Sequence, residues 1–194
     1  MIKRKMADCL RVFLDTSILI DLFNTNSGDE RVLFVKNLID SLNVNPTTAK
    51  KERTFYVSTI TLGEMVKFST KQESEVILDI ITALDGKNLE LVPYSADIAL
   101  TQNTLFKEYL SNKKLNKLLE QLEAFPSNYV LGREYITRDF MIISSAFHKN
   151  ADVILTCDKK TFLPIAELVN VFCITAYPAN FVRSGSGEKV YEFA

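Results

Sequence analysis

Short apolar runs alternate with helical patterns along this chain, and this alternation constrains the fold more than any other feature. Runs rich in Val, Ile, Leu or Phe and bounded by polar or turn-forming residues predict strands at 11–14, 55–58, 89–92, 153–156 and 171–174. None of these runs alternates apolar with polar residues, which is typical of a parallel sheet covered on both faces. Strands that alternate with helices predict an α/β fold with right-handed crossovers.

Helical periodicity fills the intervals between the predicted strands. It predicts helices at 17–23, 30–42, 60–68 (with a continuation over 73–84), 96–110, 115–125 and 137–149. The intervals 24–54 and 110–136 are longer than simple crossovers and contain helical pattern, so we interpret them as helical excursions. A Ser-Gly-Ser-Gly sequence predicts a flexible tail over 183–194, which leaves a single domain over 9–182.

Composition excludes several classes of protein. No apolar run approaches the roughly 18–20 residues that a membrane helix needs, so we expect no membrane contact and a cytoplasmic protein. The cysteines Cys9, Cys157 and Cys173 have no CxxC spacing, which argues against a disulfide framework and against a zinc site. The single histidine, His148, excludes a multi-histidine metal centre, and the net charge of −1 gives no independent sign of a nucleic-acid partner.

Acidic residues occur at the positions where a parallel sheet collects its ligands. Asp15 and Asp158 directly follow the first and fourth predicted strands. Glu64 lies in the first turns of the helix after the second strand, and Asp139 in the first turn of the helix that leads into the fourth. Because these strand ends and helix starts share one edge of the sheet, the side chains can converge if strands one and four are neighbours.

Converging carboxylates have a definite chemical consequence. They raise one another's pKa unless a cation is bound, and ligand sets made only of oxygen suit Mg²⁺ or Mn²⁺. Such an ion orients and activates a water molecule and stabilises charge on a phosphate oxygen. The acidic residues therefore predict phosphodiester hydrolysis at a divalent metal.

Structural explanations compete with this interpretation. Acidic residues favour the first turn of any helix because of the helix dipole. The sequence Thr-Leu-Gly-Glu at 61–64 fits a capping box, and Thr137 is a possible N-cap that Asp139 would support. Asp15 and Asp158 are harder to explain in this way, since an acid at the end of a buried strand is costly without a partner.

The acids lie within sequence motifs whose order is informative. FLDTSILIDLF carries Asp15, VSTITLGEMVKF carries Glu64, and RDFMIISSAFHKNADVILTCD carries Asp139 and closes on Thr-x-Asp at Asp158. VFCITAYPANFV follows as a closing strand with a Pro and an apolar pair. Over most of 9–182 this order resembles the PIN domain family of metal-dependent nucleases, most closely the toxin ribonucleases of bacterial and archaeal toxin–antitoxin pairs.

The resemblance implies a fold and an activity. The fold would be a PIN-like three-layer sandwich with a central parallel five-stranded sheet of order 3-2-1-4-5 flanked by helices, which makes strands one and four neighbours. The activity would be that of an Mg²⁺- or Mn²⁺-dependent endoribonuclease that hydrolyses RNA, as the toxin of a toxin–antitoxin pair. The expected partners are an RNA substrate, a small antitoxin protein and a second copy of the chain, with the helices of 96–125 as contact surfaces.

The resemblance also assigns roles to residues. Asp15, Asp139 and Asp158 would hold the metal directly or through water, and Glu64 would hold the water shell of the metal or activate the attacking water. The hydroxyls of Thr16, Ser17 and Thr156 would orient these carboxylates; alternatively, Thr16 or Ser17 is a helix N-cap.

Basic residues near the expected site have two interpretations. Arg133, Arg138, Lys159 and Lys160 would contact phosphates or simply be solvated. Arg53 precedes the second strand at the opposite edge, and we expect it to be solvated.

Other functions remain open at this stage. The chain would be a PIN-type RNA-processing nuclease outside a toxin system, or a non-catalytic PIN module that binds RNA or protein. A phosphatase of the haloacid dehalogenase type also has an Asp at the end of strand one, but it needs a second Asp where Ser17 stands. A response-regulator receiver needs paired acids near strand one and a Lys after the last strand, and neither is present.

Overall fold

The computed structural model describes residues 9–24, 29–43, 53–68, 70–84, 88–109, 117, 120, 129–169 and 173–175. Most of the predicted helix at 115–125, the beginning of the predicted fifth strand and the predicted tail at 183–194 lie outside these residues. None of the described helices combines the length and the apolar character that crossing a bilayer requires.

Strands and helices alternate along the described chain. The strands are β1 (Arg11–Leu14), β2 (Thr54–Ser58), β3 (Leu89–Val92), β4 (Val153–Thr156) and β5 (Cys173–Thr175). The helices are α1 (Thr16–Phe23), α2 (Glu30–Asn43), α3 (Thr59–Phe68), α4 (Lys71–Leu84), α5 (Ala96–Tyr109), α6 (Tyr129–His148) and α7 (Phe162–Leu168). The predicted strands are found with small shifts of their ends, α3 and α4 are separate helices, and α7 was not predicted.

The strands form one parallel sheet in the order β3-β2-β1-β4-β5. This confirms the expected order and makes β1 and β4 neighbours, with Leu14 opposite Leu155. Successive residues of β1 face opposite sides of the sheet, so Phe13 joins one buried apolar cluster while Val12 and Leu14 join another. Because both faces are covered, the absence of apolar–polar alternation in the strands is explained.

Helix α6 starts much earlier than the sequence predicted. It begins at Tyr129 instead of 137, so Asp139 lies more than two turns inside the helix and the first-turn prediction is wrong. Helical rise puts Asp139 about 14 Å before His148 along α6. An extended segment from Val153 to Asp158 rises by about 16 Å, which is nearly the same length. Asp139 is therefore level with the carboxyl edge of the sheet although the helix starts well beyond it.

The turn between α6 and β4 requires a left-handed residue, which is Asn150 with a φ of 50°. Its N–H donates to the Phe147 carbonyl at 2.9 Å, and the Ala151 N–H donates to the Ala146 carbonyl at 3.0 Å. These two bonds are those of a Schellman motif, whose left-handed position favours Gly or Asn.

This geometry predicts opposite outcomes for two substitutions at the turn. Asn150→Ala should lower the free energy of unfolding by about 1 kcal/mol or more, because a Cβ without a compensating polar group is disfavoured in the left-handed region. Asn150→Gly should stay within about 0.5 kcal/mol of the wild type. Urea unfolding of both variants measures the difference, and equal stability of the two would contradict the assignment.

Polar contacts tie β1 to its neighbours at the amino edge of the sheet. The Asp152 carboxylate accepts from the backbone N–H of Arg11 at 2.9 Å and of Leu10 at 3.1 Å, and it pairs with the Arg11 guanidinium at 2.9 Å. These hydrogen bonds lower the pKa of Asp152 although burial acts against them. The prediction that Arg53 is solvated is wrong. Arg53 is buried, and its Nε donates to the Cys9 carbonyl at 2.8 Å. It thereby joins the chain that enters β1 to the chain that enters β2.

Candidate metal centre

Asp15 combines the end of β1 with the start of α1. Its backbone is extended, and its side chain accepts from the Ser17 N–H at 3.3 Å, so Asp15 itself is the N-cap of α1. The alternative in which Thr16 or Ser17 caps this helix is therefore wrong. The oxygen Oδ2 of Asp15 also accepts from the hydroxyls of Ser17 at 2.6 Å and of Thr156 at 2.8 Å. These bonds confirm that Ser17 and Thr156 orient the carboxylate.

Burial perturbs the ionisation of Asp15. Its residue surface is only 4% exposed, and this burial raises the pKa of the carboxyl group from 3.8 to about 6. The hydrogen bonds from Ser17 and Thr156 act in the opposite direction and limit the rise. Asp15 is thus a buried acid whose charged form is favoured by neighbouring hydroxyls.

The end of β4 is fastened to the same hydroxyls. Thr156 Oγ1 accepts from the Asp158 N–H at 2.9 Å, and Ser17 Oγ accepts from the Cys157 N–H at 2.8 Å. The β1–α1 junction and the β4 end therefore form one hydrogen-bonded unit. Oδ1 of Asp158 accepts from the N–H groups of Lys160 at 2.7 Å and Thr161 at 2.9 Å, and its Oδ2 bonds to the Thr161 hydroxyl. Asp158 thus organises the turn before α7, a structural role that the sequence did not indicate.

Glu64 lies in the second turn of α3 and is not part of a capping box. The helix begins at Thr59, and Ser58 Oγ accepts from the Ile60 N–H at 3.2 Å, so the cap lies before residue 61. Glu64 instead accepts the Thr16 hydroxyl on Oε2 at 2.5 Å. Since Thr16 follows Asp15 in the chain, this bond holds α3 against the end of β1. It also confirms that the Thr16 hydroxyl orients a carboxylate.

Asp139 contributes an oxygen that lacks a protein partner. Its Oδ2 is buried and accepts no hydrogen bond from any described residue. Burial raises the pKa of Asp139 well above its usual range, and the charges of Asp15, Asp158 and Glu64 raise it further, while a hydrogen bond from Thr161 opposes them. The structure therefore brings each of the other predicted acids within electrostatic reach of Asp139. An N-cap role for Thr137 is excluded, because Thr137 lies inside α6.

The character of this acidic cluster, defined as Asp15, Glu64, Asp139 and Asp158, fits a hard divalent cation. All its donor atoms are oxygens, and the Asp139 Oδ2 is a buried anionic group that nothing else in the described chain satisfies. Within the same residues, no group of at least three acidic, histidine or cysteine side chains is arranged to hold an ion. Mg²⁺ usually takes only one or two carboxylates directly and keeps several of its waters, so the donor set fits such an ion.

Basic side chains around the cluster differ in how they are held. Arg138 Nη1 lies 4.0 Å from Glu64 Oε1, and its Nη2 lies 3.7 Å from Glu134 Oε2. Lys159 is partly buried, which lowers its pKa, whereas Lys160 is exposed. The side chain of Arg133 lies outside the described part of the structure.

A further buried acid lies beside the cluster and attaches helix α2 to it. Asp21 of α1 has no exposed surface and pairs with Arg31 of α2 at 2.7 Å. Burial, and then the nearby Asp21, raises the pKa of the Cys157 thiol to about 12. Asp21 therefore has a structural role, and sequence spacing alone gave no sign of its partners.

The fold and this acidic edge together define the class: a three-layer α/β protein with a carboxylate cluster where β1 and β4 end. The family model of the PIN domain matches residues 12–168. The chain therefore belongs to the PIN domain family, which confirms the resemblance of its motifs. Membership also favours this assignment over the phosphatase and receiver alternatives.

Several solved structures are similar to this chain. VapBC2 from Rickettsia felis, bound to a promoter DNA fragment, contains a chain 22% identical to this one; 84% of this chain and 96% of that chain are covered, with a TM-score of 0.50. A chain of a toxin–antitoxin complex from Klebsiella pneumoniae is 20% identical; 86% of this chain and 98% of that chain are covered, with a TM-score of 0.49. A chain of DNA-bound VapBC from Salmonella typhimurium is 19% identical; 87% of this chain and 99% of that chain are covered, with a TM-score of 0.46. No curated protein matches the chain by sequence.

Proposed function

We propose that this chain is a divalent-metal-dependent endoribonuclease and that it is the toxin of a toxin–antitoxin pair. The observation that carries the proposal is the buried Oδ2 of Asp139, which has no hydrogen-bond partner among the described residues and lies near three further acids. Keeping a carboxylate in this position without a cation is costly, so the site makes physical sense as a cation site. Membership of the PIN domain family supports the nuclease class.

The proposed roles follow from how each carboxylate is held. Asp15, Asp139 and Asp158 hold the ion directly or through its waters. Bound Mg²⁺ or Mn²⁺ would polarise the phosphate and lower the pKa of a water molecule. Glu64 accepts the proton of the attacking water on Oε1, because its Oε2 is already engaged by Thr16. As the water oxygen bonds to phosphorus, the bond from phosphorus to the ester oxygen breaks, and the leaving alkoxide takes a proton from solvent.

The charge balance of the protein shapes the proposed substrate contact. With a net charge of −1, the chain cannot rely on general attraction to a polyanion. The ion would supply positive charge at the scissile phosphate, and Lys159, Lys160 and Arg138 would supply it nearby. Binding should therefore be local and short, which suits a single-stranded RNA segment.

RNA cleavage tests the proposal directly. The protein should cut RNA when Mg²⁺ or Mn²⁺ is present and should stop when EDTA is added. Asp15→Asn should reduce the rate by about 100-fold or more, since it removes a charge that the ion and the transition state need. Asp79→Asn, an exposed acid on α4, is the matched control and should keep the wild-type rate. Undiminished cleavage by Asp15→Asn would refute the assignment, and cleavage of DNA alone would redirect the substrate.

Two alternatives within the family need separate tests. A non-catalytic PIN module would show no heat of Mn²⁺ binding in calorimetry despite its intact acids. An RNA-processing nuclease would cleave RNA yet leave host growth unaffected when expressed alone. A toxin should arrest growth, and co-expression of the protein encoded by a small adjacent reading frame should restore it.

The proposed assembly is a cytoplasmic homodimer. Leu100 on α5 is 65% exposed, an unusual degree for a leucine on a helix that we expected to be a contact surface. Sedimentation of the wild type and of Leu100→Glu tests this role. A dimer that persists in the variant would exclude α5 as the interface.

A further inference from the structure

Arg138 is the basic residue that faces the acidic cluster, and we propose that it is a built-in counterion which a divalent cation displaces from Glu64. Once displaced, the guanidinium is free to contact an RNA phosphate next to the metal. This inference rests on the proposed function, because it assigns Arg138 to the same site. The metal requirement and the role of Arg138 can nevertheless fail separately.

The geometry gives Glu64 two different attachments. Its Oε2 is fixed by the short bond from Thr16, while its Oε1 faces Arg138 Nη1 at 4.0 Å. The Glu64 side chain is 16% exposed and the Arg138 side chain 26%, so the pair lies at the border between the cluster and solvent. The oxygen that Arg138 faces is the one that remains available to a cation or to its water shell.

Each contact that holds the guanidinium is loose. The distances to Glu64 and Glu134 are 4.0 Å and 3.7 Å, at the long end for an ion pair, and Glu134 is largely exposed. The guanidinium carbon also lies 5.7 Å from the centre of the Tyr135 ring. Exposed ion pairs and cation–π contacts of this kind contribute little individually. Arg138 can therefore change its position at small cost when the charge beside it changes.

A bound cation would make that change. With the cluster free of metal, Arg138 is the positive charge that offsets Glu64. If Glu64 held a divalent ion, Arg138 would be repelled from it, while Glu134 and Tyr135 would still hold the guanidinium at the rim. The planar guanidinium, with its fork of donors, suits a phosphate oxygen pair there. The same residue thus limits metal binding and favours RNA once metal is bound.

Calorimetric titration with Mn²⁺ at pH 7.5 measures the competition. Arg138→Gln should bind Mn²⁺ about three- to fivefold more tightly than the wild type, because the positive charge that competes for Glu64 has been removed. Lys107→Gln removes the same charge from an exposed side chain in the last turn of α5, far from the carboxyl edge at which that helix begins, and should leave the affinity unchanged. Arg138→Lys keeps the charge and should remain near the wild-type affinity.

RNA binding in Mn²⁺ measures the second half of the proposal. A fluorescent oligouridylate serves as the probe in anisotropy titrations, and gel analysis of the recovered probe checks that it is still intact. Arg138→Gln should weaken its binding by about fivefold or more, and the slope of log K against log salt should fall by roughly 0.7, as for one lost phosphate contact. Arg138→Lys should recover only part of the affinity, since an ammonium lacks the fork of donors.

The outcomes separate this inference from the proposed function. If the wild type binds no Mn²⁺, the proposed metal site fails and the inference fails with it. If the wild type binds Mn²⁺ but Arg138→Gln binds it equally well, only the counterion role is overturned. The same conclusion follows if Lys107→Gln tightens Mn²⁺ binding as much as Arg138→Gln does.

Discussion

Replacement of Asp139 by asparagine is expected to stabilise the metal-free protein at pH 7. Most substitutions of buried residues destabilise a protein, so this result would be unusual. The reason lies in the surroundings of the carboxylate, whose Oδ2 has no hydrogen-bond partner among the described residues and whose neighbours are acids. Asparagine has nearly the same shape and carries no charge into this environment.

The direction follows from the proton balance between folded and unfolded chains. The unfolded Asp139 ionises near pH 3.8, whereas the pKa of the folded group lies well above this value. Between these two pKa values the folded state binds the extra proton, so its stability falls by about 1.4 kcal/mol for each unit that the pH rises. The loss is complete only above the folded pKa. Asparagine does not titrate and therefore avoids this loss.

Chemical unfolding of protein dialysed against EDTA measures the effect at pH 5 and pH 7. The advantage of Asp139→Asn over the wild type should be larger at pH 7. Asp152→Asn is the matched control with the opposite expected sign, because hydrogen bonds from Arg11 and Leu10 lower the pKa of Asp152. That variant should lose stability at both pH values. An Asp139→Asn protein that is less stable than the wild type at pH 7 would mean that the carboxylate has a favourable partner after all.

The strands of the sheet could be predicted from the sequence because the patterns that indicate them are local. Strands buried on both faces are short continuous apolar runs, and each run here is bounded by polar residues. The strand order came from the family resemblance, and it explains why acids at 15 and 158 meet. The end of a strand is the most reliable position to read from sequence, since an acid follows the apolar run directly.

The ends of the helices were predicted less well from the sequence than the strands, because they depend on tertiary contacts. The prediction started α6 at 137, yet the helix begins at Tyr129. Periodicity indicates which residues of a helix are buried but does not fix where its first turn lies. The short α7 was missed because it contains Pro164, which is tolerated only in a first turn, and a helix of that length has little periodicity to detect.

These helix ends changed the interpretation of each acid. The structural explanations for Glu64 and Asp139 depended on a helix start close to them, and both lost that basis when the helices were found to begin earlier. For Asp15 and Asp158 the structure added a structural role that the sequence had not indicated, because Asp15 caps α1 and Asp158 organises a turn. The proposed metal site therefore depends most on Asp139, whose structural alternative has disappeared.

Mn²⁺ binding is expected to depend steeply on pH, and this is the second large effect that the cluster predicts. The pKa of Asp15 is raised to about 6 by burial, and that of Asp139 lies well above its usual range. A cation needs ionised carboxylates, so its binding must release whatever protons these groups hold. Each released proton makes the affinity rise by about tenfold per pH unit.

More protons are therefore released on binding below about pH 6, where Asp15 is still protonated, than above it. The logarithm of the Mn²⁺ association constant should climb more steeply between pH 5 and pH 6 than at higher pH, where Asp15 is already ionised. Calorimetry in two buffers with different ionisation enthalpies counts the released protons at each pH. An affinity that stays constant from pH 5 to pH 8 would mean that the ion binds elsewhere.

A substitution at Thr156 tests whether Asp15 causes the change in slope of the Mn²⁺ association constant with pH. The Thr156 hydroxyl donates to Asp15 Oδ2 at 2.8 Å and helps to keep the pKa of that carboxyl group down. Thr156→Val has nearly the same shape and removes this donor, so the pKa of Asp15 should rise and the change of slope should move to higher pH. If the slope changes at the same pH in this variant, another group is releasing the proton. A shift seen with Thr156→Val but not with Asp79→Asn would identify Asp15 as a carboxylate that loses its proton when the ion binds.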